Sequence, residues 1–105
     1  MGNIRSKKIL AAAHGQRCVN CGVKDDTVVA AHYQGLRANL LGKGKGIKPH
    51  DLCVADLCAS CHRQFDNYEL SSMSTKYLRQ IDHSEQFLYC VMKTLIRRYE
   101  QDILN

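Results

Sequence analysis

The pattern of apolar and polar positions predicts a small α+β chain built around two short strands and a helix. Apolar and β-branched residues dominate TVVAAHY at 27–33, and the similar run DLCVADL occupies 51–57, so both segments are predicted strands. The segment ASCHRQFDNYEL at 59–70 follows the second strand directly and is predicted to be a helix. This succession of elements is a ββα unit.

The C-terminal third is predicted to contain two further helices. A short helix is expected over 72–81, and Asp82 with Glu85 resembles a capping box that would open a longer helix over 84–104. Apolar residues repeat at intervals of four in the longer helix, with a second apolar row beside the first, so we expect it to pack as core. The two rows are Phe87, Val91, Leu95 and Tyr99, and Leu88, Met92 and Ile96.

The remaining segments are an N-terminal helix and a basic loop between the strands. Asn3 can cap a helix over 4–14, which Gly15 would end. The stretch GLRANLLGKGKGIKP at 35–49, called the basic loop below, has three alternating glycines and four cations but no acid, so no regular element is expected there. We therefore predict one domain over 1–105. Its parts are a basic N-terminal helix (1–17), a ββα core that includes two Cys-x-x-Cys pairs (18–70) and the two C-terminal helices (71–105).

Cysteine spacing indicates a structural zinc site. A core built from 105 residues is marginal without a staple, and four of the six cysteines form two Cys-x-x-Cys pairs separated by a long gap. The alternative is two pairs of free thiols. We predict that four thiolates hold one Zn²⁺, while Cys53 and Cys90 are buried and bind no metal. The four ligands are Cys18, Cys21, Cys58 and Cys61.

The N-terminal sequence and the charge distribution bear on location and partner. MGNIRSKKIL has no apolar stretch long enough for a signal peptide or a membrane span, so we expect a cytoplasmic protein with no membrane contact.

Residues 1–50 carry nine Lys or Arg against two Asp, a net charge of +7, whereas 51–105 carry six against eight acids, a net charge of −2. A basic front half suits a phosphate backbone, although solvated charge that confers solubility is the alternative.

His62 and Asp66 predict a second metal site on the next face of the same helix. Neighbouring helical residues point about 100° apart, whereas positions i and i+4 share a face. Cys61 and His62 therefore face different directions, and His62 shares its face with Asp66. Such a pair leaves most of a divalent cation's coordination shell open, as catalysis requires; the alternative is a surface hydrogen bond. His32, at the end of the first strand, can point at this cation or can be a buried core residue.

The order Cys-x-x-Cys, AAH and LCASCHRQFD resembles the HNH, or ββα-metal, nuclease superfamily. The run AHYQGLRANLLGKGKGIKPHDLCVADLCASCHRQFD is similar to the small prophage-encoded nuclease-like proteins of the YbcO type. The resemblance covers roughly residues 14–66, and it implies a ββα-metal fold with nuclease activity.

The resemblance also implies roles for individual residues. His32 takes the place of the general base, and His62 with Asp66 takes the metal-binding places on the helix, where Mg²⁺ or another divalent cation is the expected cofactor. Asp51 stands near the place of the family's central asparagine and could hold His32 by a hydrogen bond. Two other residues compete for that place, His50 and Asn39.

The expected function is metal-dependent hydrolysis of phosphodiester bonds by a phage or prophage protein in the bacterial cytoplasm. Nucleic acid is the expected partner, DNA in preference to RNA. A non-catalytic, zinc-stabilised nucleic-acid-binding module stays open, favoured by Ala31, where many HNH enzymes carry an acid or a second histidine. An adaptor or recombination accessory protein also stays open, and it should expose an apolar stripe on the last helix. The cations expected to bind phosphates are Arg37, Lys43, Lys45 and Lys48.

Overall fold

In the computed structural model, which describes residues 2–69 and 71–104, the chain forms an α+β fold with three α-helices and a two-stranded sheet. The ββα unit occurs in the predicted order, with one short 3₁₀ turn between its strands. The α+β class is therefore confirmed. The elements are α1 (Lys7–Ala11), β1 (Val29–His32), the 3₁₀ turn (Ala38–Leu41), β2 (Val54–Leu57), α2 (Ala59–Asp66) and α3 (Lys76–Glu100).

The ββα unit consists of β1, β2 and α2. The two strands pair antiparallel, with Val29 opposite Leu57 and His32 opposite Val54. All four residues of β2 are buried, and α3 packs against this strand. Cys58 separates β2 from α2 and caps the helix, because its Sγ accepts a hydrogen bond from the backbone N–H at position 61. A cysteine of the second pair thus fixes where α2 begins.

Three aromatic side chains join the sheet, α2 and α3 in the core. The ring centroid of Phe87 on α3 lies 5.5 Å from that of Tyr33, directly after β1, and 4.6 Å from that of Phe65 on α2. All three side chains are buried, and the hydroxyl of Tyr33 is hydrogen-bonded to Ser84. This cluster holds α2 and β1 against the same helix.

One acidic side chain lies inside this core. Asp56 of β2 is fully buried, and both of its carboxylate oxygens accept hydrogen bonds from Arg98 of α3, which is also buried. Arg97 donates to the same carboxylate at 2.8 Å, and Arg98 donates through Nε to the carbonyl of Ile9 in α1 at 3.1 Å. The carbonyl of Asp56 accepts from the N–H of Val19 at 2.9 Å. Because a buried charge needs a partner, this network positions α1, α3 and the first cysteine pair relative to β2.

The C-terminal segment differs from the prediction, because the two expected helices are one continuous helix, α3. Thr75 caps it, its Oγ1 accepting from the N–H of Leu78 at 3.2 Å. The predicted capping box is wrong, since Asp82 and Glu85 lie inside the helix. No Gly or Pro interrupts the segment 76–100, so nothing in the chain ends the first helix before the second begins. Within 2–69 and 71–104, no helix combines the length and apolar character that a bilayer-spanning segment requires.

The prediction that both apolar rows of this helix pack as core is wrong for three residues. Phe87 and Val91 are buried, but Met92, Ile96 and Tyr99 are 51%, 57% and 75% exposed. The sheet has only two strands and covers one face of α3. A second apolar face is therefore left on the surface.

The N-terminal helix is shorter than predicted, because Ser6 and not Asn3 caps it. The Ser6 Oγ accepts from the N–H of Ile9 at 3.2 Å, and α1 ends at Ala11. Asn3 instead donates to the carbonyl of Gly42 in the basic loop at 2.6 Å. The residues before α1 are therefore attached to a distant loop and lie outside any helix.

The basic loop also contains more structure than predicted. The 3₁₀ turn occupies Ala38–Leu41, and Gly44 and Ile47 form an isolated antiparallel bridge. Gly42 has φ of 99°, and a Cβ at this position would lie 2.5 Å from the Asn3 side chain. The glycine is thus required both for the turn and for the contact with the N-terminal segment.

Downstream, α2 ends at Asp66, four residues earlier than predicted, with position 70 outside the described residues.

The Asp56 network generates the first testable prediction. Asp56→Ala should lower the free energy of unfolding by about 3–5 kcal/mol, because the buried guanidinium of Arg98 loses its carboxylate. Asp26→Ala is the control, since Asp26 is exposed in the turn before β1 and its removal should change the free energy by no more than about 0.5 kcal/mol. Chemical denaturation followed by circular dichroism measures both. Equal destabilisation of the two variants would contradict the role given to Asp56.

Candidate functional site

The four cysteines of the two Cys-x-x-Cys pairs lie together, as predicted. Their Sγ atoms are all within 4.8 Å of one another, and those of Cys21 and Cys58 are 3.8 Å apart. Four sulfurs at about 2.3 Å from a tetrahedral zinc stand about 3.8 Å apart, so a small contraction of the cluster gives zinc geometry. The thiol cluster can therefore hold a zinc ion that joins the segment before β1 to the start of α2.

The environment of the cluster makes one thiolate available near neutral pH. Burial opposes ionisation of Cys18, but hydrogen bonds from backbone N–H groups, those of Cys21 and Cys58 first, outweigh it and lower the pKa of this thiol to about 7. For Cys61 burial dominates and raises the pKa. A bound zinc ion would reverse this effect, because a coordinated thiol is deprotonated.

Asn20, which was not predicted from the sequence, supports the cluster. It lies between the cysteines of the first pair, and its Nδ2 donates to the Sγ of Cys61 at 3.3 Å. Its Oδ1 accepts from Nε2 of Gln86 on α3 at 3.0 Å. Polar partners of this kind orient metal ligands and tune their charge. The only sequence signal was its place inside a Cys-x-x-Cys pair.

The other two cysteines lie outside the cluster, as predicted. Cys90 is buried on α3, and burial raises its pKa to about 11. Cys53 is only partly buried and immediately precedes β2, so the predictions that it is buried and that it lies within the strand are both wrong. Burial also raises the pKa of the Cys53 thiol. Neither thiol resembles a reactive or metal-binding cysteine.

His32 and Asp51 form the second polar centre. The Nε2 of His32, the last residue of β1, lies 2.8 Å from Oδ1 of the buried Asp51. Burial opposes ionisation of Asp51, but hydrogen bonds from His32 and the Ser6 N–H, with the charge of Arg5, outweigh it and lower its pKa. An ionised carboxylate only accepts, so the neutral imidazole carries its proton on Nε2 and leaves Nδ1 free to accept one.

The N-terminal segment 3–6 holds this centre in place, which the sequence did not predict. Arg5 donates to Oδ1 of Asp51 at 3.1 Å, to the Lys48 carbonyl at 2.7 Å and to the carbonyl of Pro49. The Nδ1 of His50 accepts a hydrogen bond from the backbone N–H of Ile4 at 2.8 Å. His32 is contacted by Asp51 and not by His50. No local signal connects Arg5 with residues more than 40 positions away, since it resembles any solvated cation.

An open cleft of about 520 Å³ lies between the basic loop and α2, and it brings several predicted residues together. His32 and His62 both line it, with Lys43 and Lys48 of the basic loop. Arg37 lines a separate groove beside α3. The cleft is lined by residues 30–34, Lys43, residues 46–49 and His62. Lys45 is exposed in the same loop but does not line the cleft.

His62 and Asp66 share one face of α2, as their spacing predicted. Their Nε2 and Oδ2 atoms are 3.8 Å apart, and the side chains are 35% and 44% exposed. Two adjacent ligands at about 2.1 Å from an octahedral cation stand about 3 Å apart, so a modest rotation of these exposed side chains suits one cation. Within 2–69 and 71–104, groups of three or more potential ligands occur only at the cysteines, so a cation here would have two protein ligands.

Comparisons with known proteins leave the family open. No protein-family model, curated protein or solved structure matches the chain. The resemblance to HNH nucleases therefore stays a prediction, and the function has to be argued from the geometry of the cluster and the cleft.

The thiol cluster generates the second prediction. Protein purified without chelator should contain about one zinc per chain, and Cys58→Ser should lose most of this zinc and unfold at a lower temperature, since metal binding contributes to folding. Cys53→Ser is the matched control and should keep both the zinc and the melting temperature, because Cys53 lies outside the cluster. Metal analysis and a thermal melt measure the outcome. A Cys58→Ser variant with full zinc content would contradict the assignment.

Proposed function

We propose that the protein is a metal-dependent nuclease of the HNH type, which hydrolyses phosphodiester bonds in DNA or RNA. One observation carries the proposal: His32, backed by the buried carboxylate of Asp51, lines the same cleft as His62 and two lysines. A structural protein has no need for an oriented imidazole and a potential metal ligand that line one open cleft. A nuclease needs both.

His32 acts as the general base in this proposal. Its Nε2 is occupied by Asp51, so Nδ1 is the atom that removes a proton from the attacking water. Asp51 orients the ring and stabilises the imidazolium that forms, as a buried carboxylate does for other catalytic histidines. Arg5 and the Ser6 N–H hold Asp51 in turn, so the base has a fixed direction.

His62 and Asp66 would hold the catalytic cation. When bound, Mg²⁺ or another divalent ion supplies positive charge to the phosphate and to the leaving oxygen. The two side chains leave most of a coordination shell for water and phosphate oxygens, and their exposure gives a substrate access to the site.

The basic loop is proposed to bind the phosphates next to the scissile bond. Lys43 and Lys48 are exposed and line the cleft, and no acidic residue lies between positions 35 and 49. Contacts to phosphates position the substrate but carry no sequence information, so cleavage without strong base preference is expected. DNA is the preferred substrate in this proposal, with RNA as the alternative. Arg37 and Lys45 would contact more distant phosphates.

A second candidate function is an adaptor that binds another macromolecule through α3. One observation favours it, the exposed apolar face of that helix, on which Met92, Ile96 and Tyr99 are each more than half exposed. This face and the cleft use different side chains, so an interaction through α3 and cleavage in the cleft are compatible.

The third prediction tests the basic loop as the phosphate-binding surface. Changing both Lys43 and Lys48 to Ala should weaken binding to all nucleic-acid sequences and reduce the slope of log affinity against log salt by roughly two units, one for each lysine–phosphate ion pair removed. The matched control replaces Lys7 and Lys24, which are also exposed but lie in α1 and before β1. Fluorescence anisotropy across a salt series measures the slopes. Identical slopes for the two double variants would show that the phosphate-binding surface lies outside the cleft.

The fourth prediction separates the base from the metal ligands. His32→Ala should lower cleavage by a factor on the order of a hundred or more while zinc content and substrate affinity stay nearly unchanged, because a general base stabilises the transition state. Asp66→Ala removes one of two cation ligands, so raising Mg²⁺ or Mn²⁺ should partly restore its activity but not that of His32→Ala. Plasmid and oligonucleotide cleavage across a metal titration measures both, with DNA and RNA offered.

Two controls make this experiment decisive. His14→Ala removes an exposed histidine that lies outside the cleft, beyond the C-terminus of α1, and this variant should cleave like the unmodified protein. Unmodified protein that binds nucleic acid but cuts neither DNA nor RNA with any divalent metal would exclude the nuclease and favour the non-catalytic binding module.

A further inference from the structure

The exposed face of α3 carries a row of apolar side chains that runs the length of the helix and is interrupted by the exposed Glu85. At 100° per residue its members fall within a sector of roughly 120°, whose centre lies about 140° from the buried Phe87. Each member is between 39% and 75% exposed. We call this set the α3 stripe: Tyr77, Ile81, Tyr89, Met92, Ile96 and Tyr99.

The α3 stripe lies at the upper end of the range of apolar patches that monomeric proteins expose, which is about 300–600 Å² for the largest patch. Six large side chains at these exposures present about 100 Å² each, or roughly 600 Å² together. Leu36 and Leu40 are 56% and 69% exposed and line, with Ile81 and Leu88, a groove of about 510 Å³ that continues the patch. The total approaches the roughly 800 Å² that each partner contributes to a standard protein interface.

We infer that a second copy of this chain covers the α3 stripe, with the two α3 helices packed antiparallel around a two-fold axis near Tyr89. Two-fold interfaces use the same patch on both copies, so the patch must complement itself. A straight apolar stripe on a helix of 25 residues, about 37 Å long, meets this requirement. The dimer does not depend on the proposed nuclease activity.

The charges along one flank of the stripe favour the antiparallel arrangement. Arg79 and Asp82 precede Tyr89 by ten and seven residues, and Glu100 and Arg97 follow it by eleven and eight. Antiparallel pairing places Arg79 beside the partner's Glu100 and Asp82 beside the partner's Arg97. Although Arg97 contacts Asp56, 24% of its side chain is exposed. Parallel pairing around a two-fold axis along the helices would place the two copies of this flank on opposite sides of the interface, so the four charges would not meet. Such flanking pairs add little affinity but select orientation.

The test begins with the oligomeric state of the zinc-loaded full chain. Sedimentation equilibrium at concentrations up to about 100 µM should show a monomer–dimer equilibrium. Met92→Glu should raise the dissociation constant at least tenfold, because it places charge near the centre of the interface. Met73→Glu is the matched control and should leave the constant unchanged, since Met73 precedes α3 and is 48% exposed against 51% for Met92. Circular dichroism and zinc content should be the same for both variants.

Disulfide cross-linking then tests the orientation. Tyr89→Cys should link to its own copy, whereas Tyr77→Cys should not, because antiparallel helices place its two copies roughly 35 Å apart. A mixture of Tyr77→Cys and Tyr99→Cys should form the mixed dimer. A chain that stays monomeric at about 100 µM, or equal effects of the two methionine variants, would overturn the dimer and leave the stripe to a different protein. Self-linking of Tyr77→Cys would overturn the antiparallel arrangement.

Discussion

The rest of the structure depends on one buried carboxylate. Asp56 stands in the middle of β2, and without Arg98 its charge would be too costly to bury. That pairing determines where α3 crosses the sheet, and through the Ile9 carbonyl it also determines where α1 lies. The backbone of Asp56 adds two further bonds, to Thr94 of α3 and to Val19 in the first cysteine pair. A single residue therefore connects α1, α3 and the first cysteine pair to the middle of β2.

Features encoded by local spacing could be predicted from the sequence. The Cys-x-x-Cys spacing brings the two sulfurs of each pair together, so two pairs predict a cluster of four cysteines. The thiol cluster consists of these four cysteines. The i,i+4 relation of His62 and Asp66 is likewise a property of any helix, and the structure keeps it. The cluster prediction also needed the four-ligand coordination of zinc, because the two pairs lie far apart in the chain, whereas the pair on α2 needed only the geometry of a helix.

Features that depend on distant partners could not be predicted. Arg5 resembled a solvated cation, and only the folded chain brings it to Asp51 and the basic loop. The continuity of α3 was missed because a capping-box pattern at Asp82 is also compatible with a helix interior once Thr75 supplies the cap. The exposure of Met92 was missed for a related reason. Periodicity identifies an apolar face, but a chain of 105 residues does not have enough sheet to cover two faces of one long helix.

The two faces of α2 that carry candidate metal ligands are coupled through the helix itself. Cys61 is buried in the thiol cluster, and His62, the next residue, points about 100° away into the cleft. Fixing the first turn of α2 by the cluster therefore fixes the direction of His62, while the position of His32, which also lines the cleft, depends on Asp51 and the N-terminal segment. The cleft thus has its working shape only when both long-range connections have formed. Any chemistry in it is consequently linked to complete folding of a small chain, although neither the cysteines nor Arg5 needs to touch a substrate.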